Sequence, residues 1–194
     1  MKTYILPSLR ILAFLSLVTG ILYPVGMTVL SIGIFPYQAN GSMIEKNGQI
    51  IGSELIGQGF HSDRYFHSRP SAIGYNPAPS SGTNWGPTDK RMSDSARSRA
   101  QHFFLQNGLS AGTVVPKEML FASASGVDPH ISPEAALLQQ QRISAARGFN
   151  ERQAAALTEL IHRMIENPQF GLFGEPRVNV LKLNIALDAI LLNK

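Results

Sequence analysis

Ile11-Leu12-Ala13-Phe14-Leu15-Ser16-Leu17-Val18-Thr19-Gly20-Ile21-Leu22-Tyr23-Pro24-Val25-Gly26-Met27-Thr28-Val29-Leu30-Ser31-Ile32-Gly33-Ile34-Phe35 is a run of 25 residues without Asp, Glu, Lys, Arg or His. So long an apolar run reads as a membrane span. As a helix it would measure roughly 37 Å, enough for a hydrocarbon layer of about 30 Å with some tilt. A cleaved secretory signal is the rival reading, but its apolar core would be shorter and end at a small-residue cleavage site. Here the run leads into Phe35-Pro36-Tyr37-Gln38. Lys2, Arg10 and the amino terminus precede the span, and such basic flanks stay in the cytoplasm. The expected organisation is a cytoplasmic segment at 1–10, a transmembrane helix at 11–35 and one extracytoplasmic domain at 37–194.

Within the span, Ser16 and Gly20 stand four apart on one face, where another helix can approach closely. Pro24 lacks a backbone donor and is expected to disturb the helix around Gly20 to Tyr23. Beyond residue 36 the charge falls from +4 to +2, with 15 Lys and Arg against 13 Asp and Glu and no basic stripe. Nucleic acid is therefore not an expected partner. The chain has no cysteine, so core packing alone must hold the soluble part.

That part reads as α+β, with a small, mainly antiparallel sheet and several helices. Asn47-Gly48 sits between the runs Ser42–Lys46 and Gln49–Ile56 and predicts a hairpin. From Arg69 to Arg91 the density of Pro, Gly, Ser and Asn excludes regular structure. Tyr75, Asn76 and Trp85 give that loop something to pack and hydrogen-bond. A helix is expected from Lys90 to Asn107 with Arg91, Arg97 and Arg99 solvated, and a strand over Glu118–Ala122. Ser132-Pro133 starts a helix that Gly148 stops, and Asn150 with Gln153 forms a capping box for another through Glu166. Asn179 caps a last helix with Leu183, Leu187 and Ile190 on its apolar face.

Two clusters contain residue types with possible chemistry. His61, Asp63 and His67 are metal-ligand types, but their spacing matches no motif and Arg64 and Arg69 repel a cation. Ser123, Ser125, Asp128 and His130 hold the types of a hydrolytic triad without the glycine-serine-glycine elbow. A membrane-anchored hydrolase using Ser125 and His130 is the alternative reading. Turn formation and capping by these residues is the simpler one.

Several phrases resemble a known family. Gly52-Ser53-Glu54-Leu55-Ile56-Gly57-Gln58, Tyr65-Phe66-His67-Ser68-Arg69-Pro70-Ser71, Tyr75-Asn76-Pro77-Ala78, the stretch Ser125-Gly126-Val127-Asp128-Pro129-His130-Ile131-Ser132-Pro133 and Gly174-Glu175-Pro176-Arg177-Val178-Asn179-Val180 are similar to the C subunit of the bacterial Kdp potassium-transporting ATPase. The resemblance runs from the span to the C-terminus and is weakest from Lys90 to Lys117. It implies a noncatalytic subunit of an inner-membrane complex, with no cofactor bound by this chain and with ATP and potassium handled by partner subunits. Those partners are a channel-like potassium-translocating subunit, a P-type ATP-hydrolysing subunit and a very small membrane subunit, all in the lipid bilayer. The family is described as a catalytic chaperone that raises ATP affinity; with the soluble domain outside the cytoplasm, that effect is expected to be indirect. Candidate partner contacts are Ser16 and Gly20 on the span and Arg69, Tyr75, Asn76, Trp85, Asp128, His130 and Arg177 beyond it.

Overall fold

A computed structural model describes residues 2–190. The side chains of Lys2 and Ile190, used in the expectations above, lie outside the described part. The chain divides into two compact units, Met1–Ser53 and Glu54–Lys194.

The first unit is dominated by one apolar helical run, Tyr4–Ile34, none of it buried within the protein. It is the only helix among the described residues long and apolar enough to cross a membrane. It consists of α1 (Lys2–Leu17), a π-helical turn (Val18–Leu22) and α2 (Tyr23–Ile34). The disturbance expected from Pro24 lies one turn upstream of it. Tyr23 N–H donates to Val18 O five residues back, a widened register that meets the ring of Pro24, which has no N–H to continue the ladder. Polar hydroxyls along the run fold onto their own backbone: Thr19 donates to Leu15 O at 2.7 Å and Thr28 to Pro24 O at 2.8 Å. This suits a helix whose surroundings offer no water.

A short helix α3 (Pro36–Ala39) leads into β1 (Met43–Lys46) and β2 (Gln49–Ser53), an antiparallel pair. Asn47 and Gly48 take φ of 55° and 76°, the left-handed pair that a two-residue hairpin requires. The second strand ends at Ser53 and not at Ile56. Its hydroxyl turns back to Gly41 O at 2.7 Å.

In the second unit no helix or strand occurs from Glu54 until α4 (Lys90–Gln106), which Asp89 caps by accepting from Arg91 N–H. Arg99 departs from the expected solvated face: it is half-buried, donates to Leu120 O at 3.0 Å, and burial lowers its pKa. The strand expected over Glu118–Ala122 is a helical turn, α5 (Lys117–Leu120). Tertiary demands outweigh the apolar pattern there, since Met119 enters the core and Glu118 accepts from Ser132 N–H at 3.3 Å. β3 (His130–Ile131) follows, then α6 (Pro133–Arg147), capped by Ser132 and closed by Gly148. α7 (Glu151–Arg163) carries the expected Asn150/Gln153 capping box but stops short of Glu166. Ile165–Glu166 instead forms β4, which pairs with β5 (Arg177–Asn179). β5 also pairs with β3, giving an antiparallel sheet in the order β3-β5-β4. α8 (Val180–Ile190) closes the described chain, with Asn179 accepting from Lys182 N–H as its cap.

The core joins one face of α4, α6, α7 and α8 to this sheet through Phe103, Ile143, Leu157, Leu160, Ile161, Val178, Leu183 and Leu187. Phe66 enters it from the irregular segment, where no strand partner exists for its backbone. Side-chain amides supply that partner. Asn184 accepts from Phe66 N–H at 2.8 Å and donates to Phe66 O at 3.0 Å. Gln139 accepts from His67 N–H at 2.7 Å and donates to His67 O at 3.2 Å. Buried backbone groups must be paired, and these two amides do for an extended segment what a sheet would otherwise do.

Candidate functional site

The irregular segment is fastened to the turn-rich stretch at 121–129. Ser123 N–H donates to Pro70 O, Ser71 Oγ to Gly126 O, and Ser80 Oγ to Ser125 O. Gly57 N–H donates to Val127 O at 2.7 Å, and a Cβ at Gly57 would collide with the Asp128 carbonyl. Glycine is required by this approach of two backbones. The result is a fixed position for Asp128 opposite β5.

Four of the expected contact residues meet there. Arg69, Asp128, His130 and Arg177 line one open cleft of about 380 Å³ with Glu118, Glu175 and Ser132. Arg69 Nη1 lies 2.7 Å from Asp128 Oδ2. His130 stands between two carboxylates, with Nδ1 3.6 Å from Asp128 Oδ1 and Nε2 3.8 Å from Glu166 Oε2. Glu166 also meets Arg177 at 3.2 Å and Lys182 at 3.7 Å, and Lys182 reaches Glu54 at 2.5 Å. Charges from the irregular segment, β3, β4, β5 and α8 thus form one continuous network. Burial pushes the Asp128 carboxyl up, but His130 and the Arg69 guanidinium overcome this and hold it down at about 2. The Arg69 contact is much the shorter of the two, and Asp128 is ionised at any physiological pH.

The other expected contacts lie apart from the cleft. Tyr75 supports it from behind, donating from its hydroxyl to Arg69 O at 2.7 Å, and burial raises its pKa. Asn76 closes a local turn by accepting from Ala78 N–H, and Trp85 carries the Arg91 guanidinium 5.7 Å from its ring centre. Ser16 and Gly20 belong to the first unit; a Cβ at Gly20 would meet nothing within 4 Å, so that face is open to a neighbour.

The triad reading fails on geometry. Ser125 Oγ accepts from Val127 N–H and Ser123 is buried, while His130 is held by carboxylates and by no hydroxyl. A hydrolase needs its base on the nucleophile. His61, Asp63 and His67 do not converge on a metal either, and no group of ligand types that could hold one occurs among the described residues. Asp63 accepts from Gln106, and His67 turns its Nε2 to Ser62 O at 3.1 Å. Burial first, and then the neighbouring Arg142 guanidinium, lower the His67 pKa to about 4.

Sequence reasoning missed Glu118 and Glu175 in the cleft and Glu166, which pairs with two of its lining residues, His130 and Arg177. Glu175 and Arg177 lie in one of the resembling phrases, which was a usable signal. The helical pattern after Asn150 puts Glu166 at the end of a helix, a position that hides its place opposite Arg177 across the β4–β5 pair.

The family described as K+-transporting ATPase, c chain (KdpC) matches residues 5–189. A protein of Methylococcus capsulatus named potassium-transporting ATPase KdpC subunit is 48% identical over 188 residues, covering 95% of this chain and 96% of that protein. Proteins with the same name from Rhodopseudomonas palustris strain BisB18 and Cereibacter sphaeroides are 46% and 45% identical, covering 94% and 97% of this chain and 96% and 98% of their own lengths.

Proposed function

Because the chain belongs to the KdpC family, the c chain of K+-transporting ATPases, we propose that it is the accessory, noncatalytic subunit of a high-affinity potassium uptake complex in a bacterial inner membrane. Residues 1–10 lie in the cytoplasm, 11–35 cross the bilayer, and the remainder stands outside. The span packs through Ser16 and Gly20 against helices of the transport subunits. Beyond the membrane, the chain covers the channel-like potassium-translocating subunit. The cleft holding Arg69, Asp128, His130 and Arg177 is a docking surface, and Tyr75, Asn76 and Trp85 shape the loop beside it. The chain assists the P-type ATP-hydrolysing subunit, raising its ATP affinity indirectly through the assembled complex, which also contains the small membrane subunit.

The observation that carries this reading is the convergence of four separately expected contacts on one charge-compensated cleft that lacks a poised nucleophile. Such a surface recognises and does not react. Deleting the chain is expected to abolish potassium uptake at low potassium and to impair assembly and ATPase activity; normal assembly and transport in its absence would refute the reading. Orientation has its own test, since the chain has no cysteine of its own. Gln101→Cys is expected to react with a membrane-impermeant thiol reagent in intact cells of a strain exposing its inner membrane. Reaction only after lysis would reverse the topology.

A further inference from the structure

Between Glu166 and Glu175 the sequence Asn167-Pro168-Gln169-Phe170-Gly171-Leu172-Phe173-Gly174 contains no charge. The chain turns sharply there. Gly171 N–H donates to Pro168 O at 3.0 Å, Leu172 N–H to Gln169 O at 3.1 Å, and Gln169 N–H to Phe173 O at 2.9 Å, so the tip is a pinned turn. It displays Phe170, Leu172 and Phe173 at 91%, 81% and 67% exposure. Phe170 takes φ of 54°, a left-handed backbone that bulky residues rarely adopt. With about 150–250 Å² per aromatic side chain, the three present roughly 400 Å² of apolar surface, as much as the largest patch on many monomers.

We infer that this tip is the apolar anchor by which the chain docks into a pocket on the channel-like subunit of the potassium-transporting complex, a pocket lined by apolar side chains and rimmed by Lys or Arg. The inference rests on the function proposed above and names a contact within it. Three observations select a protein pocket. The tip runs without a break into Glu175, Pro176 and Arg177, which line the charged cleft, so apolar knob and polar surround form one surface with the anatomy of an interface. Glu175 adjoins the tip and, unlike Glu166, enters none of the ion pairs of the charge network, which disfavours an anionic lipid surface and favours a basic rim. The family is a chain of a larger complex, which supplies the partner. Exposed phenyl side chains on a fixed turn suit the hot-spot role, in which a few buried anchors carry most of the affinity.

The test encodes a photoreactive benzoyl-phenylalanine in place of Phe170 in the full chain, expressed with the whole complex, and maps the adduct after illumination. Crosslinking to the channel-like subunit is expected. Adducts only with lipid, only with a second copy of this chain, or with no molecule would overturn the inference. In parallel, Phe170→Asp with Leu172→Asp should lower recovery of the chain with the complex at least tenfold, while Leu105→Ser, at an exposed apolar position elsewhere, leaves it unchanged. The exposed tip makes no core contact, and unchanged thermal unfolding of the double variant in detergent checks that its fold is intact. Full recovery of the double variant would overturn the tip as anchor. If the complex assembles and transports normally without the chain, the functional reading itself fails; if assembly needs the chain but tolerates the double variant, only the tip inference fails.

Discussion

His67 makes acid sensitivity of the second unit a quantitative expectation. Its imidazole is folded against the α6 surface with a pKa of about 4, against 6.5 for the free side chain, chiefly because burial disfavours the charged ring and secondarily because Arg142 repels it. Arg142 cannot move away: its guanidinium donates to Asn107 Oδ1, Gln139 Oε1 and the carbonyls of Asp63 and Tyr65. Asp63 and Ser62 O act the other way and His61 adds to the repulsion, but the net shift is downward. The folded state therefore refuses a proton that the unfolded state accepts below pH 6.5. Stability from this group is fully present above pH 6.5 and is lost as pH falls toward 4. Taking the two values at pH 4.5 gives a loss of about 2.5 kcal/mol relative to neutral pH, as an order of magnitude. Asp128 does not interfere, since its carboxylate, held at about 2, contributes stability that is lost only as pH falls from 3.8 toward that value. Equilibrium urea unfolding of the full chain in detergent, followed by circular dichroism at pH 7 and pH 4.5, measures the effect. His67→Asn should remove about 2 kcal/mol of the pH dependence while other groups titrate as before. An identical pH dependence in both proteins would show that His67 is not held neutral.

The paired amide at α8 gives a second expectation. Asn184→Leu keeps the branched side-chain skeleton but strands both polar groups of Phe66, and should cost about 2–4 kcal/mol in the same unfolding measurement. Leu157→Ala, in the centre of the core, should cost about 2–5 kcal/mol. Gly57→Ala pushes on the Asp128 carbonyl and should cost about 1–3 kcal/mol, with weaker recovery of the chain in the complex because the cleft shifts. Gly20→Leu should leave unfolding of the second unit unchanged and reduce recovery with the complex, read by affinity purification from detergent.

Local rules worked where one residue controls one backbone group. Ser132, Asn150 and Asn179 each cap the helix expected of them, because a side-chain oxygen two or three residues from an unpaired N–H has few competitors. The Asn47-Gly48 hairpin was legible for the same reason. The errors lie where distant partners decide. Ile165–Glu166 continues the helical pattern of α7, yet it pairs with β5 because Val178 and Arg177 offer a ladder that no local signal announces. The strand expected at Glu118–Ala122 was lost to a helical turn that serves Ser132. Of the site, Asp128 and His130 were visible as chemistry in a turn. Their enclosure by Glu166 and Glu118 was not, because those carboxylates arrive from elements separated in sequence.

The charge network also limits how the cleft can act. Each cation in it already faces a carboxylate: Arg69 faces Asp128, Arg177 and Lys182 face Glu166, and Lys182 also faces Glu54. A charged group on a partner must therefore exchange one internal pair for one external pair, and the gain is small because exposed ion pairs are worth about 0–1 kcal/mol. Polar contacts of this kind fix register and exclude wrong partners better than they supply affinity. The affinity must come from elsewhere on the same surface, and the adjoining uncharged turn with Phe170, Leu172 and Phe173 is the part with unburied apolar area to supply it. If that division holds, raising salt should weaken association only modestly, whereas charging the tip should abolish it. A complex that dissociates steeply with salt while tolerating aspartate at the tip would place the affinity in the cleft instead.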